Sequence, residues 1–178
     1  PEAWKPRAPM RAYLEMRDDD AFWAARRVMA FSDDAIRTAV GIGRFSDPRA
    51  SRLLETVLMK RRDRIGQVYL PRINPIVEPA LDADGTLTFG NAAVDSGVAT
   101  APIAYTATWL AFDNATGASR EIGTTSSAAP RASAPAGLSQ DAGAYLRIDL
   151  AAGHAGHPAW RRPIETYFRR QAPGWRLV

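Results

Sequence analysis

Two hydrophobic spacings divide this chain at a run of prolines. Before residue 71, apolar side chains recur every three or four positions; after residue 80, they recur every second position. The first spacing predicts amphipathic helices and the second half-buried strands. Asp18-Asp19-Asp20 opens the first helix, with Phe22, Ala25, Val28 and Met29 on one face. Ser32-Asp33-Asp34 caps a second, with Ile36, Ala39 and Val40 behind it and Gly41 and Gly43 ending it. Ser46-Asp47-Pro48 starts a third, in which Leu53, Leu54, Val57, Leu58 and Ile65 form the apolar stripe. Pro71 stops that helix, and the prolines to Pro79 read as a linker.

Beyond the linker, Asp82-Ala83-Asp84-Gly85 reads as a hairpin-type turn leading to a strand from Thr86 to Phe89. From Ile103 to Gly123 the pattern predicts a second hairpin. Tyr105, Ala107, Trp109 and Ala111 alternate with Thr106, Thr108, Leu110 and Phe112, and Asp113 to Gly117 supplies the turn. Thr124 to Gly143 is rich in Ser, Ala, Pro and Gly and reads as a long mobile loop. Ala144 to Leu150 alternates again, with Leu146, Ile148 and Leu150 facing the core. Trp160 to Arg170 reads as a further strand, and Gln171-Ala172-Pro173-Gly174 as a type II turn before a last strand from Trp175.

Helices followed by strands predict an α+β protein with segregated layers. The expected order is an extended arm over 1–17, a helical subdomain of about three helices over 18–70, a Pro-rich linker over 71–80 and an antiparallel β domain over 81–178. That last domain is expected to be sandwich-like, of the immunoglobulin or fibronectin type III kind.

Composition narrows the chemistry. The chain has 178 residues, is 46% hydrophobic and contains no cysteine, which excludes disulfides, thiolate catalysis and zinc–thiolate sites. The net charge of +4 comes almost wholly from arginine. No apolar run approaches the roughly 20 residues that a membrane-crossing helix needs. The first residue is Pro1, and Val178 falls in the middle of an expected strand, so a processed or cut piece of a longer protein is expected.

The candidate sites are few. Lys60, Arg61, Arg62 and Arg64 crowd the last turns of the third helix. They either complement its C-terminal dipole or form a phosphate-binding patch, with no aromatic interleaved to favour nucleic acid. Trp4, Tyr13 and Leu14 could anchor the arm to a partner surface or an upstream domain. His154 and His157 are the only histidines and could begin a metal site, but no third ligand is evident. Gly41-Ile42-Gly43 follows a helix and lacks the third glycine of a dinucleotide fingerprint. Asp82 to Gly85 lacks the later ligands of a calcium loop. No cofactor is therefore expected, and Ser126, Ser127 and Ser133 have no base partnered in sequence, so no catalytic residue is assigned.

Five stretches together carry a resemblance. They are Trp4-Lys5-Pro6, Asp20-Ala21-Phe22-Trp23-Ala24-Ala25, Phe31 to Arg37, Phe45-Ser46-Asp47-Pro48 and Arg61 to Gly66. They resemble the C-terminal region of a group of large, uncharacterised bacterial proteins, often exported. The resemblance implies a periplasmic or extracellular location. In that group an upstream Asp-Phe-Gly-type segment implies a kinase-like part, but this chain has no such segment, and no catalytic role transfers to any of its residues. The expected function is a non-catalytic structural or protein-interaction module, an accessory domain or subunit of a larger assembly. The alternatives are the C-terminal portion of an enzyme whose active site lies upstream, and a binder of anionic surfaces or nucleic acid.

Overall fold

Capping chemistry fixes where the helices begin. The computed structural model describes residues 7, 8 and 10–178. Its first four helices are α1 (Arg11–Leu14), α2 (Asp18–Met29), α3 (Asp33–Ile42) and α4 (Pro48–Tyr69). At α2 the Asp20 carboxylate accepts from the Arg17 backbone N–H at 3.1 Å. At α3 the Ser32 hydroxyl accepts from the Ala35 N–H at 3.1 Å. At α4 the Asp47 carboxylate accepts from the Arg49 N–H at 2.8 Å, with Pro48 in the first turn. Each bond satisfies an amide that a helix start leaves open. Helix α1 is one turn, closed by the Leu14 N–H on the Met10 carbonyl, and it interrupts the arm expected over 1–17.

The chain divides into two units. The helical unit runs to Ile73 and takes in Ser96–Ala99. Within it α2 and α3 each pack on α4. The α2 residues that become buried are Ala21 and Ala25, whereas Phe22, Val28 and Met29 stay half-buried. Small side chains let helix axes come close. Gly66 on α4 does the same: a Cβ there would lie 2.5 Å from the Met29 sulfur. Helix α3 contributes Ile36 and Val40 to the interior.

The second unit, Asn74–Asp95 with Thr100–Val178, holds every strand among the described residues. They are β1 (Ile76–Leu81), β2 (Thr86–Asn91), β3 (Ala104–Phe112), β4 (Ser119–Ser127), β5 (Arg131–Ser133), β6 (Tyr145–Gly153), β7 (Ile164–Arg170) and β8 (Trp175–Leu177). A one-turn helix α5 (Ala92–Asp95) follows β2, and a 3-10 turn (Pro158–Arg161) precedes β7. Ladder bonds join them into two antiparallel sheets, ordered β1-β2-β5 and β4-β3-β6-β7-β8. At the sheet margins β4 comes near β5, and β1 near β8.

Register explains the core. Pairing sets Trp109 opposite Ile148, Ala107 opposite Leu150 and Ala111 opposite Leu146. Alternation then turns Tyr105, Ala107 and Trp109 inward from β3, and Leu146, Ile148, Leu150 and Ala152 inward from β6. Leu87, Phe89 and Phe168 complete the layer. The side chains of the buried Asn74, Asn91 and Thr166 are partnered, whereas the buried Trp175 indole N–H is not. Asn74 donates through Nδ2 to the carbonyls of Leu150 (2.9 Å) and Arg162 (3.0 Å), and its Oδ1 accepts from the Ile76 N–H at 3.3 Å. Asn91 donates to the Tyr105 hydroxyl at 3.2 Å and caps α5 by accepting from the Ala93 and Val94 amides.

Several expectations need correcting. Strand β1 begins at Ile76, inside the residues read as a linker; Pro79 sits in it because β1 is the edge of its sheet and the ladder is broken there. The expected loop over 124–143 holds the end of β4 and all of β5, because Thr and Ser pair along a ladder without an apolar alternation to announce them. The strand expected from Trp160 begins at Ile164, and Trp160 itself lies in the 3-10 turn, fully buried. At the turn expected over 171–174 the Ala172–Pro173 peptide is cis and the Gln171 N–H donates to the Gly174 carbonyl at 2.8 Å.

Candidate functional site

The basic residues of α4 separate into two sets. Positions 60, 61 and 64 share one side of a helix, and 62 points away from them. Lys60, Arg61 and Arg64 are exposed. Arg62 is committed: its guanidinium lies 2.8 Å from Asp33 and 2.8 Å from Asp63, and donates to the Phe31 carbonyl at 2.8 Å. Asp63 first, and Asp33 after it, push the Arg62 pKa upward. Arg62 thus fastens the start of α3 to α4 and is no part of an anion patch. The cluster does not complement the helix C-terminus either, because α4 runs on to Tyr69 and its last turn carries no basic residue.

The two histidines come together, but as a ring stack. His154 and His157 have centroids 4.6 Å apart, and His157 stacks on the buried Trp160 at 4.9 Å and 19°. The His154 Nδ1 accepts from the Gly156 N–H at 3.0 Å, which leaves Nε2 to carry the proton and donate to the Thr100 hydroxyl at 3.1 Å. Both ring nitrogens of His154 are therefore engaged. Burial, and then electrostatic repulsion from the neighbouring His154 imidazole, lower the His157 pKa. Among the described residues no group of three or more potential metal ligands exists. The cluster ties the loop before β3 to the loop between β6 and β7.

The feature that stands out is apolar surface on the helical unit. Trp23 is 60% exposed, Ile42 77% and Leu53 66%; Leu14, Tyr13, Phe31 and Phe45 are exposed as well. Tyr13 is at the surface, and Trp4 lies outside the described residues. Trp23 carries the Arg27 guanidinium over its ring at 5.4 Å, an arrangement that keeps a large ring at the surface. Leu53 and Leu58 belong to the stripe expected to be buried, yet remain exposed. Helix α4 has 22 residues, so it is about 33 Å long, whereas α2 and α3 have 12 and 10. Two short helices leave part of the long stripe uncovered. The signal available in the sequence was Trp23, which falls off the spacing of Ala21 and Ala25.

Comparison with known proteins finds no matching family model, no matching curated protein and no matching solved structure. No helix among the described residues is long and apolar enough to cross a membrane.

Proposed function

We propose that this chain is a non-catalytic protein-interaction module whose helical unit docks on a protein partner, as an accessory domain or subunit of a larger assembly. The observation that carries this reading is the concentration of exposed large apolar side chains on the helices, Trp23, Ile42 and Leu53 above all. Contiguous exposed apolar surface marks interaction sites, and most of the exposed large hydrophobics among the described residues belong to the helical unit. The β unit serves as the rigid part. Its strand order supports a fibronectin type III-like reading: the first, second and fifth strands form one sheet, and the fourth, third, sixth and seventh the other, with β8 added at the edge. The buried Trp109 on the third strand fits a sandwich core.

The test is recovery of a partner from the native extract by cross-linking, comparing the wild-type chain with Trp23→Gln/Ile42→Gln/Leu53→Gln. The expected result is a specific cross-linked species that the triple variant loses while its melting temperature is kept, and that Ile103→Gln, an exposed apolar site of the β unit, retains. A wild-type chain that runs as a free monomer in that extract overturns the reading.

A second reading rests on Lys60, Arg61 and Arg64, which lie exposed on one side of α4. It makes the helix a docking face for an anionic surface, and it requires binding that weakens steeply with salt.

A further inference from the structure

The outward face of the five-stranded sheet carries aromatic rings of its own. Period-two alternation puts Phe112 on the side of β3 opposite Trp109, and Tyr145, Arg147 and Asp149 on the side of β6 opposite Leu146 and Ile148. Pairing sets Phe112 beside Tyr145, Tyr145 beside Arg169, Arg147 beside Tyr167 and Asp149 beside Glu165, so all of them share that face. The rings are held by their neighbours. Phe112 meets Tyr167 edge to face with centroids 5.0 Å apart, and the Arg169 guanidinium lies over Tyr145 at 5.6 Å. The three rings are half-buried, and Arg169 is exposed. Beside the Phe112–Tyr145 pair lies an open depression of about 510 Å³, bordered by Asn114 and Gly143.

The charges on this cluster balance: the carboxylates of Asp149 and Glu165 answer the guanidiniums of Arg147 and Arg169. Arg147 donates through Nε and Nη2 to the two Asp149 oxygens at 2.7 and 2.8 Å, and through Nη2 to Glu165 Oε1 at 2.8 Å. Glu165 Oε2 accepts from the Tyr167 hydroxyl at 2.7 Å. None of these bonds uses Arg147 Nη1, and each carboxylate oxygen keeps a lone pair. Fixed donors therefore stand next to fixed acceptors, with the side chains of Arg147 and Asp149 only 24% and 18% exposed. Across the β unit, acidic side chains slightly outnumber arginines, and there is no lysine.

We propose that this outward face binds a neutral oligosaccharide, with Phe112, Tyr145 and Tyr167 as an apolar platform and Arg147, Asp149 and Glu165 as hydrogen-bonding partners of its hydroxyls. A sugar ring has an apolar C–H face and a rim of hydroxyls, each both donor and acceptor. Aromatic rings set beside a network that donates and accepts match both features. Charge decides against the other polymers that use aromatic platforms. A nucleic acid or an acidic polysaccharide requires uncompensated cations, and the guanidiniums here are matched by carboxylates. A protein surface would bury the Arg147–Asp149–Glu165 network away from water, a desolvation cost that sugar hydroxyls avoid by replacing the water. Side chains already locked by their own contacts lose little freedom when a ligand arrives. This site lies on the β unit and goes beyond the docking of a protein on the helices.

The test uses the whole chain. Amide chemical shifts are followed against cellohexaose, xylohexaose, mannohexaose, chitohexaose and maltohexaose, with a heparin hexasaccharide and a single-stranded oligonucleotide as charged probes. The expected result is saturable, salt-insensitive shifts confined to β3, β6 and β7 for at least one neutral sugar, and binding about tenfold weaker in Tyr145→Ala. Tyr167→Phe keeps its ring and should lose less than Tyr167→Ala. Glu165 is exposed, so Glu165→Gln keeps the fold and should weaken binding severalfold. Trp23→Gln/Ile42→Gln/Leu53→Gln should bind the sugar as the wild type does, so loss of a protein partner and loss of sugar are read separately. Absence of saturation with every neutral sugar, or affinity unchanged in both Tyr145→Ala and Glu165→Gln, overturns the proposal. So does tighter, salt-sensitive binding of heparin or the oligonucleotide, or a cross-linked protein that Tyr145→Ala loses.

Discussion

The two units of this chain bury different things. The β unit encloses Trp109, Trp160, Phe168, Leu87, Leu146, Ile148 and Leu150, each 1% exposed or less. In α2 and α3 the buried side chains are Ala21, Ala25, Ile36 and Val40, while Trp23 and Ile42, and Phe31 between the two helices, face outward; Leu70, just past α4, is the large side chain that the helical unit buries fully. Burial stabilises in proportion to apolar area, so a large aromatic contributes several times what an alanine does. The lesson is that helical spacing alone does not build a core; the side chains on the inward face must also be large. A unit whose best apolar groups point outward is stabilised further when something covers them.

The strongest test of that contrast is a pair of truncations. Trp109→Ala removes a fully buried ring and the indole bond to Thr125, and should destabilise the β unit by about 3–5 kcal/mol. Ile36→Ala in the helical unit should cost nearer the low end for such changes, about 2 kcal/mol. Denaturant melts followed by near-ultraviolet signal and by helix signal separate the two. Hydrogen exchange sharpens the contrast: amides of β3 and β6 should open only with global unfolding, and those of α2 and α3 at lower free energy. Equal protection in both units would break the comparison.

Asn74 comes next. Its amide serves two carbonyls, and its oxygen serves the amide at the start of β1. Asn74→Ala leaves buried backbone groups without partners and should cost about 2–3 kcal/mol, read from the urea midpoint. A smaller loss than that of Ile36→Ala would mean that the strand entry is not fixed by this side chain.

Within the helical unit, polar chemistry does part of what packing does not. Arg62, only 15% exposed in its side chain, bridges Asp33 and Asp63 and reaches the Phe31 carbonyl. A double-mutant cycle between Arg62→Ala and Asp33→Ala should give a coupling of about 0.5–1 kcal/mol, since Asp33 is 49% exposed and its pairing is screened by solvent. A coupling of zero would leave α3 held by Ile36 and Val40 alone.

Legibility followed the same division. The β3–β4 hairpin was readable because Tyr105, Ala107 and Trp109 alternate and Asp113 closes its own turn, accepting from the Ala115 and Thr116 amides. The helix starts were readable because caps are local chemistry. Strand β5 was not, since Arg131, Ala132 and Ser133 carry no period-two apolar signal, and their partner β2 lies more than forty residues earlier. The exposure of Leu53 was not readable because a stripe records what a helix could bury, not how long its neighbours are. Of the candidate site residues, Tyr13, Lys60, Arg61 and Arg64 are at the surface. Arg62 is different because of Asp33 and the Phe31 carbonyl, 29 and 31 residues away, which spacing within one helix cannot reveal.

The smallest expected effect is a dependence on pH that belongs to the β unit. The His157 pKa is lowered by burial and by the neighbouring His154 ring, from an ordinary value of 6.5. The unfolded chain therefore binds a proton on this residue more readily than the folded one, and stability rises with pH where the two differ. Above pH 6.5 the contribution is fully present; it is lost as pH falls through 6.5 toward the folded value. Asp19 and Asp113 are held below the carboxylate value of 3.8, by Arg17 and by the Ala115 amide, and so titrate outside this window. The melting temperature of the wild-type β unit should fall between pH 8 and pH 5, and that of His157→Gln should fall less, while the helix signal shows no change on this substitution. An unchanged slope in the variant would mean that the ring stack with Trp160 tolerates the charged imidazole. The loop between β6 and β7 would then be held by the Thr100–His154 bond and by Trp160 burial instead.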